Sequence, residues 1–189
     1  MRTFDVDILM VSGTPTLGPD HWQSRWLTRL KTARRVDLAA SEQMQFARWT
    51  ARLMAAVASA QQPVIFVAHG AAVTALAHAA MKFPAARVIG AFLVAPLSEA
   101  SMAALPRMVP GVVPFSRDPL PFPSLLVASR SDPHCGYDEA GDMALNWGST
   151  LVDAGDVGHL DAASGHGPWP EGAMRFGWFL KQLGNANAV

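Results

Sequence analysis

The stretch from Val64 to Ala72, VIFVAHGAA, decides the fold of this chain. Its first five residues are apolar and follow Pro63, a pattern that predicts a β-strand at 63–68 buried on both faces. The next segment, 71–81, predicts a helix because alanine and leucine dominate it and no helix breaker intervenes. A buried strand that turns at once into a helix is the repeating unit of a parallel sheet covered by helices.

The same alternation of apolar strands and amphipathic helices continues in both directions along the chain. The further elements predicted from it are strands at 7–12, 35–38, 88–95, 124–129 and 150–153, and helices at 22–30, 43–60, 99–105, 137–147 and 173–183. We therefore predict an α/β protein, a three-layer α/β/α sandwich with a mainly parallel sheet. Residues 1–189 are expected to form a single domain, with a frayed tail at 184–189.

Length, composition and charge narrow the class of protein further. Half of the 189 residues are hydrophobic and only 16% are charged, which argues against disorder and provides enough apolar side chains for a core. Fifteen basic residues balance fifteen acidic ones, so no net charge attracts nucleic acid or an anionic membrane. We expect neither as a partner, whereas a neutral surface permits a homo-oligomer.

Other features of the sequence bear on redox state, targeting and cofactors. Cys135 is the single cysteine, so the chain can form no intramolecular disulfide and has no cysteine pair for zinc. Asp5 and Asp7 lie where a signal peptide would need its apolar region, and no apolar run is long enough to span a membrane. We expect a cytoplasmic protein without a cofactor or a metal.

The residues at the strand ends indicate where a ligand would bind, because parallel sheets of this kind bind ligands beyond the carboxyl ends of their strands. These ends carry Gly13-Thr14, His69-Gly70, Pro96, Asp132 and His159. The turn at His69-Gly70 has the layout of a nucleophile elbow, G-x-S-x-G, in which a serine occupies the tip of a sharp strand-to-helix turn. Ala68 and Ala72 are small enough for the two outer positions, but the tip position is occupied by Gly70.

The order of the acidic and histidine residues also fits this layout. After such a nucleophile an acid and then a histidine are expected, and Asp132 and His159 follow the strands at 124–129 and 150–153. A histidine there could act as a general base held by the carboxylate. Taken alone, Asp132 before a proline is common turn chemistry and His159 could be a surface group. Their order and their strand-end positions together favour a catalytic pair.

Several longer stretches carry a resemblance to a known family. They are Val11-Ser-Gly13, His21-Trp-Gln-Ser-Arg-Trp26, Val67-Ala-His69, Ser129-Arg-Ser-Asp-Pro133, Gly158-His159 and, most specific of all, Ser164-Gly-His-Gly-Pro-Trp-Pro-Glu-Gly172. With them the chain resembles, over residues 7–183, the small serine hydrolases of the α/β-hydrolase superfamily typified by YdeN and retinoblastoma-binding protein nine. The resemblance implies an α/β-hydrolase fold without a large cap domain. It also implies that the protein acts on carboxylic esters or amides.

The resemblance also implies roles for individual residues. Asp132 and His159 match the acid and base of the family's triad, and Gly70 matches its nucleophilic serine. The oxyanion hole would be formed by the backbone N–H of Ala71 and by a second N–H near Thr14. Because Gly70 has no hydroxyl, we expect the chain to be catalytically impaired as written.

The residues alone leave other sources of chemistry to consider. Ser12, Thr14, Thr74, Ser131 and Cys135 lie nearest to the site along the strand ends, and none is a convincing replacement nucleophile. A water activated by His159 and Asp132 would hydrolyse slowly. A metal site formed by His21, His159, Asp161 and His166 is disfavoured, because their spacing is irregular and no H-E-x-x-H motif occurs.

Three interpretations of the function therefore stay open. The chain is an enzyme, in which Gly70 is a deliberate replacement or an unusual nucleophile acts. Alternatively, it is a pseudoenzyme that binds a small acyl ligand or a protein through the retained pocket. Ala72 favours this second interpretation, whereas the retained Asp132 and His159 favour the first. Finally, it could be an interaction module acting through the proline-rich connection at 106–123, which only composition supports.

Overall fold

Six parallel β-strands form the central sheet in the computed structural model, which describes residues 1–13, 17–38, 45–84, 86–105 and 115–186. The strands are β1 (Asp7–Ser12), β2 (Ala33–Asp37), β3 (Val64–Gly70), β4 (Val88–Pro96), β5 (Ser124–Ala128) and β6 (Thr150–Asp153). Their order in the sheet is β2-β1-β3-β4-β5-β6, and every neighbouring pair is parallel. All carboxyl ends therefore lie along one edge of the sheet.

Helices cover both faces of this sheet. They are α1 (Trp22–Arg29), α2 (Phe46–Ala58), α3 (Ala71–Ala79), α4 (Glu99–Ala103), α5 (Tyr137–Trp147) and α6 (Pro170–Ala186), with short 3₁₀ turns at Thr3–Asp5 and Ala80–Lys82. Successive strand residues point to opposite faces. In β1, Ile8 and Met10 join a core cluster with α1 and α6, whereas Leu9 and Val11 join a cluster with α2, α3 and α5. The predicted three-layer α/β/α sandwich is confirmed.

Most differences from the sequence prediction are at the ends of elements. The strand expected at 63–68 continues through His69 and Gly70, because both residues pair with β4 or β1 in the sheet. The edge strand begins at Ala33 and not at residue 35. Residues 43–44 of the predicted helix at 43–60, and much of the proline-rich connection at 106–123, lie outside the described residues.

The prediction of a frayed tail at 184–189 is wrong for its first three residues, because α6 continues to Ala186. The helix α6 also starts earlier than the predicted residue 173. Pro170 begins the helix, where a proline loses no intrahelical hydrogen bond, and Glu171 in the first turn suits the positive end of the helix dipole. At the other end Gly184 packs against Met1, a contact that residue periodicity does not reveal.

None of the helices within the described ranges is both long and apolar enough to cross a membrane.

Candidate active site

Gly70 forms the tip of a sharp turn between β3 and α3. Its backbone has φ 61° and ψ −130°, a conformation that residues with a side chain rarely adopt. Glycine enters this region freely, whereas other residues there carry a strain of about 1–3 kcal/mol. The turn has the backbone of a nucleophile elbow, and it presents position 70 at the carboxyl edge of the sheet.

The backbone of Gly13, just after β1, lies against the start of α3. A Cβ atom on Gly13 would lie 2.8 Å from Cβ of Ala71 and 2.9 Å from the backbone N of Ala72. This close approach brings the end of β1 beside the first turn of α3, where backbone N–H groups have no intrahelical acceptor. The N–H of Ala71 can therefore donate to an anion at the tip. Thr14, the second predicted donor, lies outside the described residues.

His159 and Asp132 form a hydrogen-bonded pair beside this turn. Nδ1 of His159 lies 2.9 Å from Oδ2 and 3.1 Å from Oδ1 of Asp132, and Oδ1 also accepts the backbone N–H of His134 at 2.9 Å. The Asp132 side chain is 2% exposed and that of His159 13% exposed. A buried carboxylate bonded to Nδ1 places the ring proton there, so Nε2 is free to accept a proton.

Nε2 of His159 faces the tip of the turn. A Cβ atom on Gly70 would lie 3.4 Å from Nε2 and 4.0 Å from Cε1 of His159, an ordinary van der Waals contact. Leaving out the chain neighbours of Gly70, no further atom of the described residues lies within 4 Å of that point. The three residues singled out from the sequence, Gly70, His159 and Asp132, are thus adjacent in this order.

A buried hydroxyl joins the two loops that carry the pair. The Oγ of Ser129, at the end of β5, donates to the carbonyl of Gly155 at 3.1 Å and accepts the N–H groups of Ser131 at 3.3 Å and Val157 at 3.1 Å. The Oγ of Ser131 accepts the N–H of Gly158 at 3.0 Å. The loop after β5 and the loop after β6 therefore hold each other in place.

His69 is a residue of the site to which the sequence assigned no role. Its Nε2–H donates to the backbone carbonyl of His159 at 2.8 Å, and the two rings lie 4.7 Å apart. Burial lowers the pKa of His69 to about 3, with a smaller contribution from His159, so the ring is neutral at physiological pH. The signal in the sequence was that His69 precedes the tip residue. A hydrogen bond to a residue 90 positions away cannot be inferred from that position.

Two further histidines extend this cluster. The ring of His21 lies 5.2 Å from that of His69, and burial lowers its pKa to about 4. The exposed His134 packs edge-on against His159 at 4.6 Å between ring centroids. His69 and His134 are thus ring neighbours of the His159 imidazole.

The other candidate nucleophiles within the described residues are buried, hydrogen-bonded or protonated. Ser12 is buried in β1, Thr74 is buried within α3, and Ser131 is engaged with Gly158. Burial raises the pKa of the Cys135 thiol to about 12, so it stays protonated. Across the described ranges, no three His, Cys, Asp or Glu side chains come together as a metal site would require.

The residues considered and disfavoured above as a metal set make hydrogen bonds to different partners. His159 is bonded to Asp132, whereas Asp161 and His166 are both bonded to the hydroxyl of Ser164. His159 is thus paired with Asp132 beside the elbow and does not belong to a group with Asp161 and His166.

This parallel sheet, its elbow and the adjoining imidazole–carboxylate pair define an α/β-hydrolase. A family model described as serine hydrolase matches residues 8–178, nearly the whole chain. The chain belongs to the serine hydrolase family. A search of the curated proteins finds no significant match.

Solved structures agree with this assignment. A YdeN-like hydrolase from Pectobacterium atrosepticum is 28% identical, with a TM-score of 0.81 over 96% of this chain and 94% of that one. The ydeN gene product from Bacillus subtilis is 18% identical, with a TM-score of 0.69 over 91% and 97% of the two chains. An esterase domain from Rhodothermus marinus is 15% identical, with a TM-score of 0.67 over 92% and 85%. The last two show likeness of fold alone.

Proposed function

We propose that this protein is an esterase-like member of the serine hydrolase family that binds a carboxylic ester or amide at the Gly70 turn without forming a covalent acyl intermediate. The observation that carries the proposal is the geometry at position 70. The backbone has the elbow conformation, and a Cβ there would lie 3.4 Å from the Nε2 of His159, yet glycine offers no hydroxyl to attack. On this proposal the chain is catalytically impaired, because position 70 carries no nucleophile.

Several retained features support binding at this turn. The carbonyl oxygen of an ester placed at the tip could accept the Ala71 N–H at the start of α3, with the carbonyl carbon toward His159. The buried Asp132 still orients the imidazole. The similar structure described as a YdeN-like hydrolase fits a ligand of this class.

The runner-up proposal is a pseudoenzyme that uses the same pocket to bind a small acyl ligand or a protein partner, with no chemistry at all. In both proposals position 70 lacks a nucleophilic hydroxyl. They differ in whether His159 and Asp132 still form a working acid–base pair. The intact 2.9 Å bond between them favours the esterase-like proposal.

The first experiment compares nitrophenyl acetate hydrolysis by the chain as it is and by its Gly70→Ser variant, each with and without His159→Ala. Serine fits the space, so we expect the serine variant alone to turn over rapidly and to lose this activity with His159→Ala. Disabling a triad costs on the order of 10⁶-fold in kcat in other hydrolases, which sets the scale of the expected difference.

Mass spectrometry of the same reactions identifies the acylated residue. We expect an acetyl group on the serine variant at position 70 and none on the chain as it is. An acylated wild-type chain, or a serine variant no faster than the wild type, would contradict the proposal. The first result would reveal another nucleophile, and the second a pair that no longer supports catalysis.

A further inference from the structure

The space between Gly70 and His159 has the size of a missing side chain. A Cβ on Gly70 would meet Nε2 of His159 at 3.4 Å, and nothing else among the described residues within 4 Å, chain neighbours aside. Among the described residues, no other side chain occupies this point. A small molecule could therefore place one hydroxyl or amino group where a serine hydroxyl would otherwise stand.

The group that faces this space is a proton acceptor. Asp132 holds the proton of His159 on Nδ1, which leaves the lone pair of Nε2 directed at position 70. The His159 side chain is 13% exposed, so solvent molecules reach it, while the rings of His69 and His134 pack against it at 4.7 and 4.6 Å. The imidazole is therefore accessible to small molecules from solution.

We propose that this space receives a small hydroxyl- or amino-bearing molecule from solution, which His159 deprotonates for attack on the bound ester. The chain then transfers an acyl group directly to an external acceptor, with no acyl-protein intermediate. The inference rests on the proposed function, because it requires an ester to bind at the Gly70 turn.

The reaction balances without any further reactant. The acceptor's oxygen or nitrogen forms a bond to the carbonyl carbon, and its proton moves to Nε2 of His159. The carbonyl oxygen becomes an anion beside the N–H of Ala71, and Asp132 stays ionised next to the imidazolium. Collapse then breaks the ester C–O bond, and the leaving alkoxide takes the proton from His159. The products are a new ester or amide and the alcohol of the original ester.

The acceptor's size follows from the space it must occupy. Methanol has the carbon and oxygen of a serine side chain, so it fits where the side chain would lie. Water fits as well, so slow hydrolysis accompanies the transfer. An alcohol branched at the carbon that bears its hydroxyl, such as tert-butanol, is larger than a serine side chain, so we expect it not to replace one.

Methanolysis of nitrophenyl acetate tests the inference, with methyl acetate measured by gas chromatography. For the chain as it is, we expect methyl acetate formation to rise in proportion to methanol, above the rate without protein. We expect no ester from tert-butanol at equal concentration. His159→Ala, which removes the base, should abolish the protein-dependent product.

Gly70→Ala is the matched control for the space itself. It places a methyl group 3.4 Å from Nε2 and leaves His159 and Asp132 in place, so methanolysis should fall to the level of His159→Ala. Because alanine is strained at φ 61°, circular dichroism and thermal melting check that this variant folds. If it does not fold, Asp132→Asn decides, since it keeps the space open and should still lower methanolysis at least tenfold. Methanolysis that persists in the folded Gly70→Ala variant, in Asp132→Asn or in His159→Ala overturns the inference.

The outcomes also separate this inference from the proposed function. If the Gly70→Ser variant turns over rapidly while the wild type makes no methanol-dependent product, the inference is wrong and the proposed function stands. If the wild type makes methyl acetate but the serine variant is inactive, the proposed serine hydrolase site is wrong. If neither reaction occurs, both are wrong.

Discussion

At the scale of single residues, one carboxylate decides what His159 can do. Asp132 is buried and accepts the Nδ1 proton, so it fixes both the orientation of the ring and the nitrogen that is free to act as a base. Asparagine at the same position keeps the volume. Its amide can instead donate to Nδ1, which would move the ring proton to Nε2 and remove the base.

Asp132→Asn in the Gly70→Ser background is therefore expected to lower kcat by roughly 10⁴-fold, the scale of this substitution in another serine hydrolase. Steady-state hydrolysis of nitrophenyl acetate measures the effect. Asp138→Asn is a matched control, because Asp138 is exposed in the first turn of α5. A loss of less than tenfold for Asp132→Asn, or an equal loss for Asp138→Asn, would count against the assigned role.

The residues of the site differ in how well the sequence predicts them. Asp132, His159 and Gly70 could be singled out because each lies at or after the end of a predicted strand, and parallel strands bring such positions to one edge. His69 could not, since its role is a hydrogen bond to the backbone of a distant loop. The pattern of residue types indicates where in the fold a side chain is attached. Its hydrogen bond to the backbone of another loop depends on the conformation of that loop, which the pattern does not give.

At the scale of elements, the approach of β1 to α3 positions the amide at the tip. A Cβ on Gly13 would lie 2.8 Å from Cβ of Ala71 and 2.9 Å from N of Ala72, closer than these atoms tolerate. The contact involves backbone and a Cβ, so no flexible side chain can move aside. Any side chain at position 13 must therefore push the end of β1 away from the start of α3.

We expect Gly13→Ala to lower the free energy of unfolding by about 1–3 kcal/mol, the usual cost of overpacking. Gly18→Ala is the matched control, because a Cβ there would meet no atom of the described residues within 4 Å, chain neighbours aside. Urea unfolding followed by tryptophan fluorescence measures both. Equal stabilities for the two variants would show that the contact at Gly13 relaxes without cost.

The elements themselves were largely predictable, and their ends were not. Each central strand is a continuous apolar run because helices cover both faces of the sheet, so β1, β3, β4 and β5 stand out from the sequence. The ends depend on contacts between elements. The pairing of His69 and Gly70 lengthens β3, and the packing of Gly184 against Met1 accompanies the longer α6.

At the scale of the whole molecule, buried imidazoles link stability to pH. Burial lowers the pKa of His69 to about 3 and that of His21 to about 4, whereas both are near 6.5 in an unfolded chain. As the pH falls below about 6.5, the unfolded chain binds protons that the native protein does not. The contribution of these two histidines to the free energy of unfolding is therefore fully present above that pH and is lost progressively below it.

Between pH 6 and pH 5 we expect each of these two histidines to lower the free energy of unfolding by up to about 1.4 kcal/mol per pH unit. Urea unfolding at several pH values measures the slope. His69→Gln should reduce the slope by close to one histidine's share. A slope that His69→Gln does not alter would show that His69 is protonated in the native state.

The Ser129 hydroxyl has a consequence for local motion in the native state. It bonds to Gly155 and Val157 in the loop of His159 and to Ser131 in the loop of Asp132, so movement of either loop disturbs the bonds of the same hydroxyl. Segments tied in this way open as one cooperative unit with a shared free energy. Displacement of the carboxylate is therefore coupled to displacement of the imidazole, and the two halves of the acid–base pair share one point of attachment.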